Sequence, residues 1–225
     1  MDLIKVFRDT YQKTLNKPVN ARKFKFVEYS NDIEVLNINC IDAVINVRQK
    51  YPKHKIGLLN FADGEVRGGC VTRGAKSQEE DICRTTNLYH TLLEVEYPIK
   101  SDEIIVSKDI KLIKNSKYEL IDDEITIDYV ITKDALVANW HFTPTMYQET
   151  EKRIEMILKT ADSLKINVLI LGAFGCGVFR NPPESIASIF HKYLKKYKFK
   201  KVIFAILEKK TNTLNNTFKT KLCLI

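Results

Sequence analysis

Apolar residues at Leu3, Ile4, Val6, Phe7, Tyr11 and Leu15 recur at mixed helical spacings, which predicts an amphipathic N-terminal helix over Leu3–Leu15. Phe24–Tyr29 and Ile33–Ile38 read as short strands, and Ile41, Val44, Ile45, Val47 and Tyr51 as a helix that stops before Pro52. The run KIGLLNF, Lys55–Phe61, is apolar on both faces, as suits a strand covered by helices above and below. Ser77–Glu94 predicts one helix that buries Ile82, Leu88, Leu92 and Leu93. Ile104–Ser107, Asp109–Ile113 and Ile125–Thr132 then read as strands, with the acidic stretch around Glu119–Asp128 as a solvated hairpin or loop.

The second half has the clearest pattern. Tyr147–Leu164 places Ile154, Ile157, Leu158, Ala161 and Leu164 on one helical face and runs into the apolar strand INVLILGAF. A glycine loop, a helix over Pro183–Tyr197 and the strand KKVIFAIL complete a βαβ unit. The order predicts an α/β fold, three layers α/β/α with a mixed, partly parallel central sheet. Residues 1–225 are expected as a single domain, with 1–23 as a helical extension and 208–225 as a loose basic tail.

A chain of 225 residues with 44% hydrophobic and 28% charged positions has the composition of one folded domain, which excludes collagen, linker and mucin classes. Its five cysteines include no CxxC and no Cys–His pair at zinc spacing, so they are expected as free thiols and no metal is called for. Without an apolar leader core or a membrane-length apolar window, a soluble intracellular protein with no membrane contact is expected, and a monomer. The net charge of +8 is concentrated near the end, where ten lysines and the single acid Glu208 lie between Lys192 and Lys221. Such a stretch suits either a solvated lysine face or weak nucleic-acid contact.

In an α/β sheet, ligands gather at the carboxyl ends of strands. Two glycine loops stand there. Phe61–Gly74 follows the first apolar strand and holds Asp63, Gly68, Gly69 and Cys70; Gly172–Arg180 follows the second and holds Gly172, Gly175, Cys176, Gly177, Val178 and Phe179. Glycine backbones admit anions closely, so either loop can cradle phosphate or simply turn the chain. Neither matches GxxxxGK[ST] or GxGxxG, which disfavours a nucleoside triphosphatase or a dinucleotide dehydrogenase. After the first loop, Ser77-Gln78-Glu79-Glu80 has the spacing of a capping box, and equally that of a general acid beside bound phosphates. Cys70 and Cys176 have no histidine near them in sequence and are discounted as nucleophiles.

Taken together, Asn60-Phe61-Ala62, Gly68-Gly69-Cys70, Gln78-Glu79-Glu80, and Leu171 to Phe179 with Asn181 and Pro183 resemble the microbial-type poly(ADP-ribose) glycohydrolases of the macrodomain superfamily. The resemblance implies a macrodomain fold, a cleft for ADP-ribose, and hydrolysis of the ribose–ribose O-glycosidic bond of poly(ADP-ribose) or a related linkage, with no metal or cofactor. It implies Glu80 as the acid that protonates the leaving oxygen and Glu79 as the group that orients the distal ribose. Gly175–Phe179 would hold the diphosphate through backbone N–H groups, with Phe179 packed on the distal ribose. Gly68 and Gly69 would face that ribose, with Asn60, Asp63, Cys70, Gln78, Gly172 and Cys176 completing the site. The departure is Cys70, where the family has the third glycine of a run; if that position needs positive φ, a cysteine there is strained. That departure leaves a non-catalytic ADP-ribose reader as the alternative.

Overall fold

The structure, a computed structural model, describes residues 29–209 and 211–224 and, before them, Gln12. The expected helix Leu3–Leu15 and most of the expected strand Phe24–Tyr29 lie outside those residues. Along the described chain run β1 (Ile33–Leu36), α1 (Cys40–Lys50), β2 (Ile56–Ala62), α2 (Gln78–Thr85), α3 (Leu88–Leu93), β3 (Ile105–Lys114), β4 (Leu120–Asp134), α4 (Pro144–Ser163), β5 (Val168–Leu171), α5 (Pro183–Leu194), β6 (Lys201–Ala205) and α6 (Thr213–Lys221).

The strands form one six-stranded sheet in the order β1-β6-β5-β2-β4-β3, with every neighbouring pair parallel except β3–β4. Alternation along each strand feeds two cores. Leu59, Leu169, Leu171, Val202 and Phe204 meet α4, α5 and α6 on one face; Ile56, Leu58, Val168, Ile170 and Ile203 meet α1, α2 and α3 on the other. The expected three-layer α/β fold is therefore the observed one.

Three local expectations need correction. The single helix over Ser77–Glu94 is two helices, because Thr86 leaves helical geometry (φ −131°, ψ 174°) to bridge to Leu112 of β3. Asn87 completes that junction: its N–H donates to Lys111 O (3.2 Å) and its Oδ1 accepts from Lys111 N–H (2.8 Å). The acidic stretch does lie in a hairpin, as one alternative had it, but in a strand of it rather than in its turn, which falls earlier at Asn115–Glu119; Asp122, Asp123 and Glu124 line the exposed outer part of β4. The two strands expected at Ile104–Ser107 and Asp109–Ile113 are one, running through Asp109.

The expected loose tail is also structured. After β6, Asn215 donates to Ile206 O (3.0 Å) and to Glu208 Oε2 (2.7 Å), which returns the chain onto the sheet, and α6 places Phe218 wholly inside against Phe204. Among the described residues, three lysines of this region are paired with acids. Lys192 meets Glu151 at 2.7 Å and Lys196 meets Glu155 at 3.1 Å, joining α5 to α4, while Lys201 meets Asp32 and Glu34 at 2.9 and 2.7 Å. No helix among the described residues is long and apolar enough to cross a membrane.

Because Phe218 is core rather than tail, Phe218→Ala should destabilise the fold by about 3–5 kcal/mol in denaturant titration; a change below about 1 kcal/mol, the range of surface substitutions, would show that α6 is dispensable.

Candidate functional site

The C-terminal ends of β1, β6, β5 and β2 open side by side onto a cavity of about 670 Å³. At its β2 end, the strand-to-helix step sets two consecutive glutamates at the start of α2. Glu79 and Glu80 are only 2% and 5% exposed, yet both line the cavity.

Each carboxylate is held by amides. Glu80 Oε2 accepts from Ser77 N–H (2.9 Å), its half of the capping box, while Oε1 accepts from Cys70 N–H (3.0 Å). Glu79 Oε2 accepts from Asp63 N–H (2.8 Å), and Oε1 accepts from the Asn60 side-chain amide (3.1 Å). The first glycine loop thus spends the amides of Asp63 and Cys70 on the acids. Asp63 shapes the same loop, its Oδ1 accepting from Glu65 and Val66 N–H at 2.8 and 3.1 Å.

Both carboxylates close on Gly69. A Cβ at that position would lie 2.5 Å from Glu80 Oε1 and 3.1 Å from Glu79 Oε2, and its φ is +59°. Gly68 (φ +65°) packs instead against Tyr89 and the Cys83 thiol, away from the cavity. Cys70 has φ −101°, so the residue that replaces the third glycine is unstrained.

Burial pushes the Glu79 carboxyl up to about 7, against the lowering effect of the Asp63 N–H and the Asn60 amide; the charges of Glu80 and Asp63 add to the rise. Asn60 keeps its Oδ1 without a partner, so a turn of its amide would present an acceptor to a protonated Glu79.

Gln78 fastens β2. Its amide accepts from Phe61 N–H (2.9 Å) and donates to Leu59 O (2.6 Å), continuing the strand edge past Leu58, where the ladder to β5 stops.

The second loop has the opposite polarity. Gly175 (φ +71°) and Asn181 fold it shut: Asn181 donates through its backbone and its side chain to Gly175 O (3.1 and 3.0 Å) and through the side chain to Leu136 O (2.8 Å). Among the described residues, the N–H groups of Gly175, Gly177, Val178 and Phe179 make no hydrogen bond, and all four residues line the cavity. Four open amides in five residues form an anion cup. Gly172 sits behind it, where a Cβ would strike Ala205 O and the Phe61 ring, and that ring meets Phe174 edge-on at 5.8 Å. Cys176 turns inward toward Phe174 O (3.7 Å), its thiol pushed up to about 12 by burial, a neutral group with no part as a nucleophile.

Of the residues singled out in the sequence, the cavity brings together Asp63, Gly69, Cys70, Gln78, Glu79, Glu80, Gly175, Gly177, Val178 and Phe179; Asn60, Gly68, Gly172 and Cys176 stand behind it. Sequence reasoning missed the other end, where Ile38, Asn39, Leu207, Lys209 and Leu214 form the wall. They carry no motif and meet only because β1 and β6 are neighbours in the sheet.

Comparison with known proteins follows the same lines. Residues 5–115 match the family model "Microbial-type PARG, catalytic domain", a span that contains the first loop and both glutamates. Among solved structures, the poly(ADP-ribose) glycohydrolase of Deinococcus radiodurans in complex with ADP-ribose is 25% identical, with a TM-score of 0.75 over 86% of this chain and 85% of that one. The poly(ADP-ribose) glycohydrolase of Thermomonospora curvata bound to the inhibitor ADP-HPD is 24% identical, with a TM-score of 0.78 over 85% of this chain and 79% of that one. No curated protein matches.

The pKa of Glu79 has a consequence for stability. The folded state holds a proton between pH 4.5 and about 7 that the unfolded state has released, so stability should fall as pH rises through that window, by up to about 3 kcal/mol, and level off above it. Denaturation midpoints measured across the window should show this slope in the wild type and a much flatter profile in Glu79→Gln; parallel profiles would place the titration elsewhere. In the sequence of residues 5–115 and in its described fold, the family this chain resembles is the microbial-type poly(ADP-ribose) glycohydrolases.

Proposed function

We propose that this protein is a poly(ADP-ribose) glycohydrolase-like enzyme. The observation that carries the reading is the polarity of one cavity, with two buried glutamates at its β2 end and a cup of backbone N–H groups at β5. A ligand with a diphosphate in its middle and a sugar at one end matches that order. On this reading the diphosphate lies on Gly175, Gly177, Val178 and Phe179, and the distal ribose reaches Glu79 and Glu80. The adenosine extends toward the largely apolar wall of Ile38, Leu207 and Leu214.

Cleavage at the anomeric carbon passes through an oxocarbenium-like state. Glu80 supplies a proton to the leaving oxygen, the C1–O bond breaks, and water adds to C1, its proton returning to the Glu80 carboxylate. Glu79, carrying a proton near neutrality, can both donate to and accept from ribose hydroxyls, which suits it to orient the sugar. The diphosphate, fixed by the amide cup, places negative charge near the developing cation.

With modified polymer as substrate, release of ADP-ribose should fall about 10²–10⁴-fold in Glu80→Gln while ADP-ribose binding is retained; the thermal midpoint should drop, because the Gln amide can accept from only one of Ser77 N–H and Cys70 N–H. Full activity in both Glu80→Gln and Glu80→Ala would remove the assignment. Tight ADP-ribose binding with no turnover on any linkage by the wild type would make the chain a reader.

A further inference from the structure

Beyond the acid end of the cavity, the chain leaving β4 crosses from the first loop to the second. Asp134, held by Arg153 at 3.1 and 3.0 Å, packs its Cβ under Gly64; Leu136 O receives the Asn181 amide; Ala138 and Asn139 N–H donate to Phe179 O at 2.9 and 3.3 Å. This strut ends in two successive residues in left-handed geometry, Asn139 (φ 46°) and Trp140 (φ 73°). Asparagine tolerates that region; a bulky aromatic there is an outlier. His141 N–H closes this turn on Ala138 O (2.8 Å), and positive φ at both central residues is what such a turn requires, but it favours Asn and Gly over an indole, and Trp140 is 75% exposed, so packing does not account for the tryptophan.

Facing it from the second loop is Arg180, also left-handed (φ 57°), with its guanidinium 5.1 Å from the Trp140 ring centroid. An exposed indole with a cation over it, immediately outside an anion cup, combines a stacking surface with a phosphate partner. The Ala138 and Asn139 hydrogen bonds to Phe179 O set this pair beside Phe179, the last residue of the cup, and so next to the sugar whose C1–O bond breaks on the reading above.

Resting on the glycohydrolase reading, we propose that Trp140 and Arg180 form the leaving-group subsite, stacking the adenine and meeting the phosphates of the polymer unit whose ribose oxygen is released. A ribose–ribose linkage makes the leaving group an adenosine with its own diphosphate, which fits an aromatic platform beside a guanidinium. A small alcohol or a serine side chain offers neither a base nor a phosphate to this pair.

Trp140 is the only tryptophan of the chain, so its own fluorescence reports on the platform. In full-length Glu80→Gln, an oligomer of two ADP-ribose units should quench that emission, while ADP-ribose alone, bound in the cavity, should leave it unchanged. In the otherwise wild-type chain, Trp140→Ala should raise KM for the oligomer roughly 5- to 100-fold. It should leave hydrolysis of an ADP-ribose glycoside with a small alcohol leaving group unaltered, and Trp140→Phe should restore most of the loss. Arg180→Ala should weaken the oligomer alone and flatten its salt dependence.

Equal quenching by ADP-ribose and oligomer would assign the pair to the ADP-ribose site itself. Oligomer binding, seen by calorimetry, without quenching would make Trp140 a passive cover for Arg180, and equal losses on both substrates would make it structural; each result overturns the proposal. Failure of the wild type to bind either ligand would overturn the glycohydrolase reading itself, and this subsite with it.

Discussion

Two adjacent carboxylates buried at the first turn of a helix set the terms for everything around them. Removing such groups from water is costly unless hydrogen bonds replace the lost solvent. Here the replacement comes from three directions: the helix's own Ser77 N–H, the Asp63 and Cys70 amides of the first loop, and the Asn60 side chain at the end of β2. The loop therefore takes its shape from the acids as much as the acids take their place from the loop. Glycine at position 69 follows from the same constraint, since it is the residue against which both carboxylates close. The N-terminal end of α2 also favours negative charge, which offsets part of the burial.

The second loop answers that arrangement with open amides. The two loops are tied by the Phe61–Phe174 contact and by the strut leaving β4, so acids and amides sit on a common support. Strand order then becomes a ruler. Going from β1 and β6 through β5 to β2, the cavity passes from an apolar wall to an anion cup to a pair of acids. A parallel sheet places all four strand ends on one side, which an antiparallel arrangement would not do.

Much of this was legible in the chain. Buried parallel strands advertise themselves as unbroken apolar runs, and Lys55–Phe61 and Ile166–Leu171 read correctly for that reason. What failed had physical causes. The break at Thr86–Asn87 depends on an edge strand, β3, reaching across to pair with the helix junction, although the β-branched pair Thr85–Thr86 followed by a capping asparagine was a local signal. The acids of β4 looked like a turn because the first part of that strand runs past β2 and pairs with β3 alone, and its exposed positions carry charge, a pattern that also guards an open edge against pairing. The tail looked loose because its lysines dominate the composition; one buried phenylalanine and the Asn215 hydrogen bonds outweigh them. Capping and chemistry at Ser77–Glu80 were posed as rivals, and the structure shows that one carboxylate both caps the helix and lines the cavity.

Cys70 illustrates why a motif has to be read atom by atom. Three glycines in a row suggest that three positions need a glycine backbone, yet only Gly68 and Gly69 adopt positive φ, while Cys70 opens a short 3-10 turn in an ordinary region. What position 70 gives to the acids is its N–H on Glu80 Oε1, a donor that every residue except proline supplies. A side chain there costs the backbone nothing and the carboxylate nothing. Its influence is confined to the room left at the acid end of the cavity, where the proposed reading puts a sugar, rather than to whether the loop can form.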